Sequence, residues 1–401
     1  MFLPLPQLKE MLRRVIADRH RQGHLTDGLL DELVGLPDSY DACLAFAERL
    51  ADLPLRDDWP YVEPSRLNEI WAEADPSLGD APIAPVDLAD SAGRVRAGFL
   101  GSVCGCQLGK PMETHPTLAE VRAALEATGD WPLNDYFSQK TMDAHGRQHP
   151  STPTTTREGL RFAEHDDDQN YTILGMILLE KYGPRFTPKQ IAFEWTQQLA
   201  TRWTFGPERT VLMKAAIPNQ AEFDGAPEPD VWRWAEVLNP GDELCGAMIR
   251  ADAYGYACPG RPKLAAELAW RDASFTHRRT GIYGTMFAAA AIAAAQGLDD
   301  RLAVFEAALK VVPQNSRFFD IVSDALNMVD MATDWLDGYE RIHGKYGEYG
   351  HCMVLQESGT LINTLRFAED VGDGICKQVA QGNDTDSYGA TAGSLLGCYF
   401  G

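Results

Sequence analysis

The sequence predicts an all-α protein, and three observations carry the prediction. Apolar residues recur at helical spacing along most of the chain, alternation of the strand type is scarce, and from Ala92 onward Gly and Ala are frequent inside apolar helical patterns. Small residues three and four apart let helix backbones approach closely, so the expected architecture is a compact domain of many tightly packed helices.

Taken in order, residues 1–85 are charged and amphipathic, with Leu8, Met11, Leu12 and Val15, and then Leu25, Leu29, Leu30 and Leu33, at helical intervals. They predict a helical N-terminal extension. The run PSLGDAPIAP (76–85) has three prolines and a glycine among small residues and predicts a linker. The main domain is therefore placed at 86–401. Its small-residue helices are AGRVRAGFLGSVCGCQLG (92–109), GTMFAAAAIAAAQG (284–297) and GATAGSLLGCYFG (389–401). Residues 129–156 lack periodicity and are rich in Pro, Ser and Thr, which predicts a long loop, and loops of that length are usually functional. No internal repeat of fixed period is present.

The composition narrows the function. With 401 residues, 45% hydrophobic and 23% charged, the chain has the make-up of a soluble globular protein with ample core. Its formal net charge of −22 disfavours nucleic-acid backbones and anionic membranes and favours cations. The eight cysteines are too few and scattered for a disulfide-built module, and the lone C-x-C of Cys104 and Cys106 has no second pair with which to bind zinc. Charges interrupt the first twenty residues where a signal peptide needs an apolar centre, and the longest apolar stretch, Met286 to Ala295, is short of the roughly 20 residues that cross a bilayer. A cytoplasmic protein is expected.

Carboxylates gather at two helix starts. Glu164-His165-Asp166-Asp167-Asp168-Gln169-Asn170 precedes an apolar helix that ends at Gly183-Pro184, and Asn383-Asp384-Thr385-Asp386-Ser387 precedes the closing small-residue helix. One Asp suffices to cap a helix, at around 1 kcal/mol. Two or three adjacent carboxylates repel one another, and an apolar helix draws them inward, where uncompensated charge is expensive. A bound cation resolves that conflict, and carboxylates with Ser and Thr hydroxyls suit a hard ion such as Mg²⁺ or Mn²⁺. A third element, GSVCGCQLGKPME (101–113), stops a small-residue helix at Gly-Lys-Pro and presents Glu113 just beyond it.

In this order the three elements resemble the ADP-ribosylglycohydrolase family, which includes the dinitrogenase reductase-activating glycohydrolase and the protein ADP-ribose hydrolases. GSVCGCQLGKPME is similar to the family's Gly-rich opening, which ends in Gly, a small residue, Pro, an apolar residue and Glu. DDQNYTIL, from Asp167, approximates its Asp-Asp-Thr helix start, and GNDTDSYGATAGSLLGCYFG resembles its closing Gly-x-Asp-Thr-Asp-Thr motif and the helix that follows. The stretch 246–277 is similar to its Gly-x-x-Met-Arg region and the Ala-rich helix that runs into Thr-His. The resemblance covers about Ala92 to Gly401, where most members continue through a further helix or two.

The resemblance implies two neighbouring Mg²⁺ or Mn²⁺ ions in a cleft. Asp167 and Asp168 fall on its paired metal-binding Asp, Asp166 on a preceding Thr ligand, and Asp384, Asp386 and Ser387 on the closing ligands. Sliding the register by one makes Asp166 and Asp167 the pair. Glu113 falls on a mobile catalytic Glu, Asp168 counts both as ligand and as catalytic carboxylate, and Gly246, His277 and Asn383 fall at the ADP-ribose cleft. Arg250 or Arg278 is expected to offset the charge of a pyrophosphate. Asp166 and Gln169 replace Thr, and Cys106 stands where many members have Asp.

The chemistry so implied is metal-dependent hydrolysis of an N- or O-glycosidic bond to ADP-ribose, on a protein or small-molecule substrate. Such ions bind the ribose diol and position a water, while nearby carboxylates stabilise positive charge on the ring. Two rivals are a hydrolase of a simpler nucleoside or N-riboside, and a non-catalytic ADP-ribose binder. His165 reads as a helix-cap neighbour. His145 and His149 have no assigned role, and the tryptophans, among them Trp195, Trp203, Trp232, Trp234 and Trp270, read as core or cleft wall.

Overall fold

The computed structural model describes residues 3–217 and 230–401, which hold helices and three isolated β-bridges but no sheet. The protein is all-α, as the small-residue and helical periodicities predict. No helix among the described residues is long and apolar enough to cross a membrane.

The N-terminal segment opens with α1 (Leu5–Arg21), followed by short helices at Leu29–Gly35, Tyr40–Ala51 and Leu67–Glu73. The first three close around their own small core, in which Leu8, Leu12, Val15 and Ile16 of α1 meet Leu33, Cys43, Phe46 and Leu50. Polar contacts tie α1 to the rest of the chain. Arg19 pairs with the buried Asp242 at 3.2 Å, Gln22 donates to the other oxygen of Asp242 at 2.7 Å, and Asp18 accepts from the Gly241 amide at 2.8 Å. Further along, Ile70 is already part of the main core.

The main domain holds α2 (Leu88–Gly109), α3 (Asp167–Tyr182) and α4 (Arg279–Ala295), and its core surrounds α4. Apolar or small on every face, α4 is buried along nearly its whole length, the expected place for such a helix. The later pair is α5 (Val354–Phe367) and α6 (Thr385–Phe400).

The seam between α2 and α6 is the closest packing in the molecule, and the glycines make it. The two helices run antiparallel, with Gly101 against Gly393, Gly105 against Gly389 and Gly109 against Thr385. A Cβ at any of these glycines of α2 would overlap backbone of α6, so only the bare Cα permits the approach. This is the physical content of the small-residue spacing in the sequence.

The expected long loop at 129–156 is not wholly irregular. It contains helices Gln139–His145 and Thr152–Thr155. Ser138 caps the first, accepting from the Thr141 amide, and Gly146 ends it with φ +77°. Seven residues are too few for hydrophobic periodicity to register, so the capping residues were the readable signal.

Candidate active site

The antiparallel seam fixes where the chemistry gathers. It brings the C-terminal end of α2, with Lys110 and Glu113 just beyond, to the N-terminal end of α6, with Asp384 and Asp386. Thr385 locks the two ends, its hydroxyl donating to the Gly109 carbonyl at 2.8 Å. The turn into α6 is equally constrained, because Gly382 and Asn383 both have positive φ and the Asn383 amide donates to the Pro116 carbonyl at 2.7 Å.

The start of α3 reaches the same point. Gln107 of α2 clamps the backbone of Glu164 from both sides, donating to its carbonyl at 2.9 Å and accepting from its amide at 2.7 Å. Two residues on, Asp166 is the N-cap of α3 and accepts from the Asp168 amide at 3.1 Å. Lys110 donates to the other oxygen of Asp166, and both residues are buried.

These ends open into a cleft of about 550 Å³. Its lining carries the charged and polar Lys110, Glu113, Asp166, Asp167, Asp384, Asp386 and Ser387 together with His165, Trp203 and Phe205. Leu244, Cys245, Gly246 and Ile249 line it as well, and His149 comes from the long connection, its Nε2 3.6 Å from Glu113.

Ligand atoms of Glu113, Asp384 and Asp386 lie within 4.8 Å of one another, as do those of Cys106, Asp166 and Asp168. Carboxylates this close cannot all ionise unaided. Burial, then the charge of Asp384, pushes Glu113 up to about 7, and burial raises Asp167 to about 6. Burial also drives Asp386 and Asp168 well above the ordinary range, with Glu113 adding to the first and Asp167 to the second. Asp384 is the exception. Burial would raise it as well, but His351 and the thiols of Cys352 and Cys245 more than offset that and hold it low. His149 is pushed down to about 4 by burial and by Lys110, so it stands neutral beside Glu113.

The donors at Glu113, Asp384 and Asp386 are three carboxylates facing a cleft, a set that fits one hard divalent cation. The second cluster differs. There the ammonium of Lys110 already faces Asp166, with Asp386, Glu113 and Asp168 among its charged neighbours. One oxygen of Asp168 is buried with no hydrogen-bond partner, so that corner retains unspent ligand capacity.

Of the residues singled out by sequence, Glu113, Asp166, Asp167, Asp384, Asp386, Ser387 and Gly246 meet at the cleft, and Asp168 lies buried directly behind it. Two substrate-binding expectations fall elsewhere. His277 is fully buried, its Nδ1 2.8 Å from the Thr276 hydroxyl and 3.5 Å from Glu208. Asn383 points away to His343, 3.1 Å from its Nε2. Nor is either expected arginine at the cleft wall. Arg250 is buried between Glu208 at 2.7 Å and Asp272 at 3.0 Å, and Arg278 donates to the carbonyls of Ser274 and His277 at 2.7 Å. Cys104 is exposed and Cys106 buried, so the C-x-C motif does not converge. Sequence reading missed Lys110, His149, Cys245 and Cys352. Only the first had a visible signal, a lysine where the opening motif calls for a small residue.

With this geometry in hand, comparison with known proteins is decisive at one level. The family model described as ADP-ribosylglycohydrolase matches residues 87–401. The chain belongs to the ADP-ribosylglycohydrolase family. Membership makes it a relative of ADP-ribosylglycohydrolase-type hydrolases, on the all-α fold described above. No curated protein matches the chain. Among solved structures, it is similar to one titled "ADP-ribosylglycohydrolase-related protein complex", at 20% identity and a TM-score of 0.48, over 78% of this chain and 89% of that one.

Proposed function

We propose that the protein is a hydrolase that cleaves an N- or O-glycosidic bond to a ribose of the ADP-ribose type, with a divalent cation held by Glu113, Asp384 and Asp386. The observation that carries the reading is the convergence of those three carboxylates in a cleft that is also lined by Trp203 and Phe205. A ribose would sit at the carboxylates and a base against the aromatic rings.

A Mg²⁺ or Mn²⁺ ion bound there would supply Lewis acidity toward a vicinal diol. The protein's own groups supply the rest. Glu113, in the cleft beside Asp384 and Asp386, would accept a proton from water and return it to a leaving group. Asp167, on the cleft wall, would stabilise positive charge on the ribose ring electrostatically. Lys110 keeps Asp166 from adding a further uncompensated charge, so the site calls for fewer metal ions than the two that the resemblance implies.

One observation favours the simpler riboside as a second reading. Among the described residues lining the cleft there is no arginine, and its one lysine is engaged by Asp166, so a pyrophosphate would depend on backbone amides such as those at the Gly206–Ala215 helix start. The test is a panel of ADP-ribosylated proteins, ADP-ribosides and plain ribosides with Mg²⁺ or Mn²⁺. Release of the ribosyl product that stops with EDTA and in Asp384→Ala is expected. Turnover that survives both overturns the reading, and the preferred member of the panel separates the two substrates.

A further inference from the structure

Asp384 also belongs to a second group of ligating atoms, with two thiols that the proposed hydrolysis does not use. Cys245, just before Gly246, and Cys352, just before α5, come from distant parts of the chain. They lie side by side, the Cys245 amide donating to the Cys352 carbonyl at 2.8 Å next to the Leu244–Met353 bridge. Both thiols donate to the same atom, Oδ2 of Asp384, each at 3.0 Å. The two sulfurs and the carboxylate oxygen lie within 4.8 Å of one another.

Hydrogen bonding to Asp384 accounts for the thiols but not for their neighbour. In the first turn of α5, Glu357 is 2% exposed; no side chain donates to its carboxylate, which faces the backbone amide of Cys352. Asp384, Asp386 and the two cysteines are its electrostatic neighbours. A buried carboxylate beside a second one is costly when charged, and a proton or a cation nearby relieves that cost.

We propose that Cys245, Cys352 and Asp384 form a site for a thiophilic divalent cation of the Zn²⁺ class, with the carboxylate of Glu357 as a charged neighbour that favours the ion. Two sulfurs and one carboxylate oxygen supply three of the four positions such an ion takes, the fourth being left to water, and sulfur selects a borderline or soft ion over Mg²⁺. Loading releases the two thiol protons to solvent and leaves both sulfurs as metal-bound thiolates. Cys245, Cys352 and Asp384 line the cleft, which gives the ion a way in. Asp384 then links a soft site to the hard site of Glu113 and Asp386. The proposal stands whether or not the protein cleaves glycosidic bonds, because its test reads binding rather than turnover.

The experiment titrates the chelator-stripped full chain with Co²⁺ in excess Mg²⁺ and records the near-ultraviolet absorption. One Co²⁺ per chain is expected, with a sulfur-to-cobalt charge-transfer band that Zn²⁺ abolishes, and two cysteines should become protected from alkylation. Cys352→Ser retains a hydroxyl donor to Asp384 at a half-buried position and should lose the band with its circular dichroism unchanged. Glu357→Gln should keep the band and weaken binding at least tenfold. Absence of the band in the unaltered chain, an unchanged band in Cys352→Ser, or unchanged affinity in Glu357→Gln overturns the assignment. So does a loss of two mass units without metal, which would mark a disulfide instead.

Discussion

Lys110 and Asp166 form a buried ion pair at the heart of the acidic cluster, the ammonium donating to Oδ2 while Oδ1 caps α3. One lysine thus holds the end of α2 against the start of α3 and neutralises charge that would otherwise require a metal or a proton. Burial alone would lower its pKa, but Asp386, Cys106, Glu113 and Asp168 together hold it above the usual lysine value.

Replacing that ammonium should therefore cost stability and increase metal dependence together. Lys110→Met leaves Asp166 buried and unpaired, a loss of about 3–5 kcal/mol by the usual cost of breaking a buried pair. Thermal unfolding with EDTA and with Mn²⁺ checks this. The variant should melt well below the unaltered protein in EDTA and recover much of the difference in Mn²⁺. Equal melting of the two proteins in EDTA would show that the pair does not neutralise the cluster.

The glycine seam makes a second prediction. A methyl at Gly105 would overlap the Gly389 carbonyl, and neither partner is a flexible side chain that could yield. Gly105→Ala must push α2 from α6 and carry Glu113 away from Asp384. Overpacking of this kind typically costs about 1–3 kcal/mol, and more where backbone is the obstacle. The expected result is a lower melting temperature and a larger proportional loss of metal affinity, measured by calorimetry. Gly93→Ala, on the same helix but facing open space, is the control and should change neither.

The contrast between those glycines shows what could be read in advance. Gly and Ala at helical spacing betrayed the close seam because backbone approach excludes side chains at every turn, so the constraint is written along the chain. The carboxylates were visible for a similar reason: three adjacent Asp at one helix start exceed what capping requires. His277 and Arg250 were not placed correctly because their burial depends on residues far off in sequence, Glu208 and Asp272 above all. Cys245, Cys352 and Glu357 left no pattern at all. They converge only when the bridge at Leu244 and Met353 forms, and no local periodicity encodes that contact.

Asp252 gives a pH prediction free of the metal ligands. It is buried, accepts from the Ser102 and Ser394 hydroxyls, and has one oxygen without a partner. Burial pushes it up to about 7, the serines offsetting only part of the effect. A carboxyl whose pKa is raised on folding contributes its stability in the protonated form. That contribution is complete below the ordinary aspartate range and is lost as pH climbs through about 7. The margin of Asp252→Asn, which cannot ionise, over the unaltered protein should grow between pH 5 and pH 8 by up to about 3 kcal/mol. Denaturant unfolding at both values measures it, and a margin that shrinks would mean that the carboxylate is stabilised in its charged form.

The aromatic side chains of the cleft should govern binding and leave the chemical step alone. Trp203 and Phe205 line the cleft and are 40% and 54% exposed, which leaves their rings open to a ligand, and His165 packs edge-on to Trp203 at 3.9 Å. Stacking of a base on such a ring is worth about 1–3 kcal/mol by alanine substitution. Trp203→Ala should thus raise KM about tenfold for substrates that carry adenine, with kcat unchanged, and have no effect on a plain riboside. Glu113→Gln should lower kcat for every substrate and raise the Mn²⁺ concentration needed for half-maximal activity, because Glu113 would both move the proton and hold the cation. If Trp203→Ala lowered kcat for the plain riboside as well, the ring would not act through the base alone, and the placement of base and ribose would have to be abandoned.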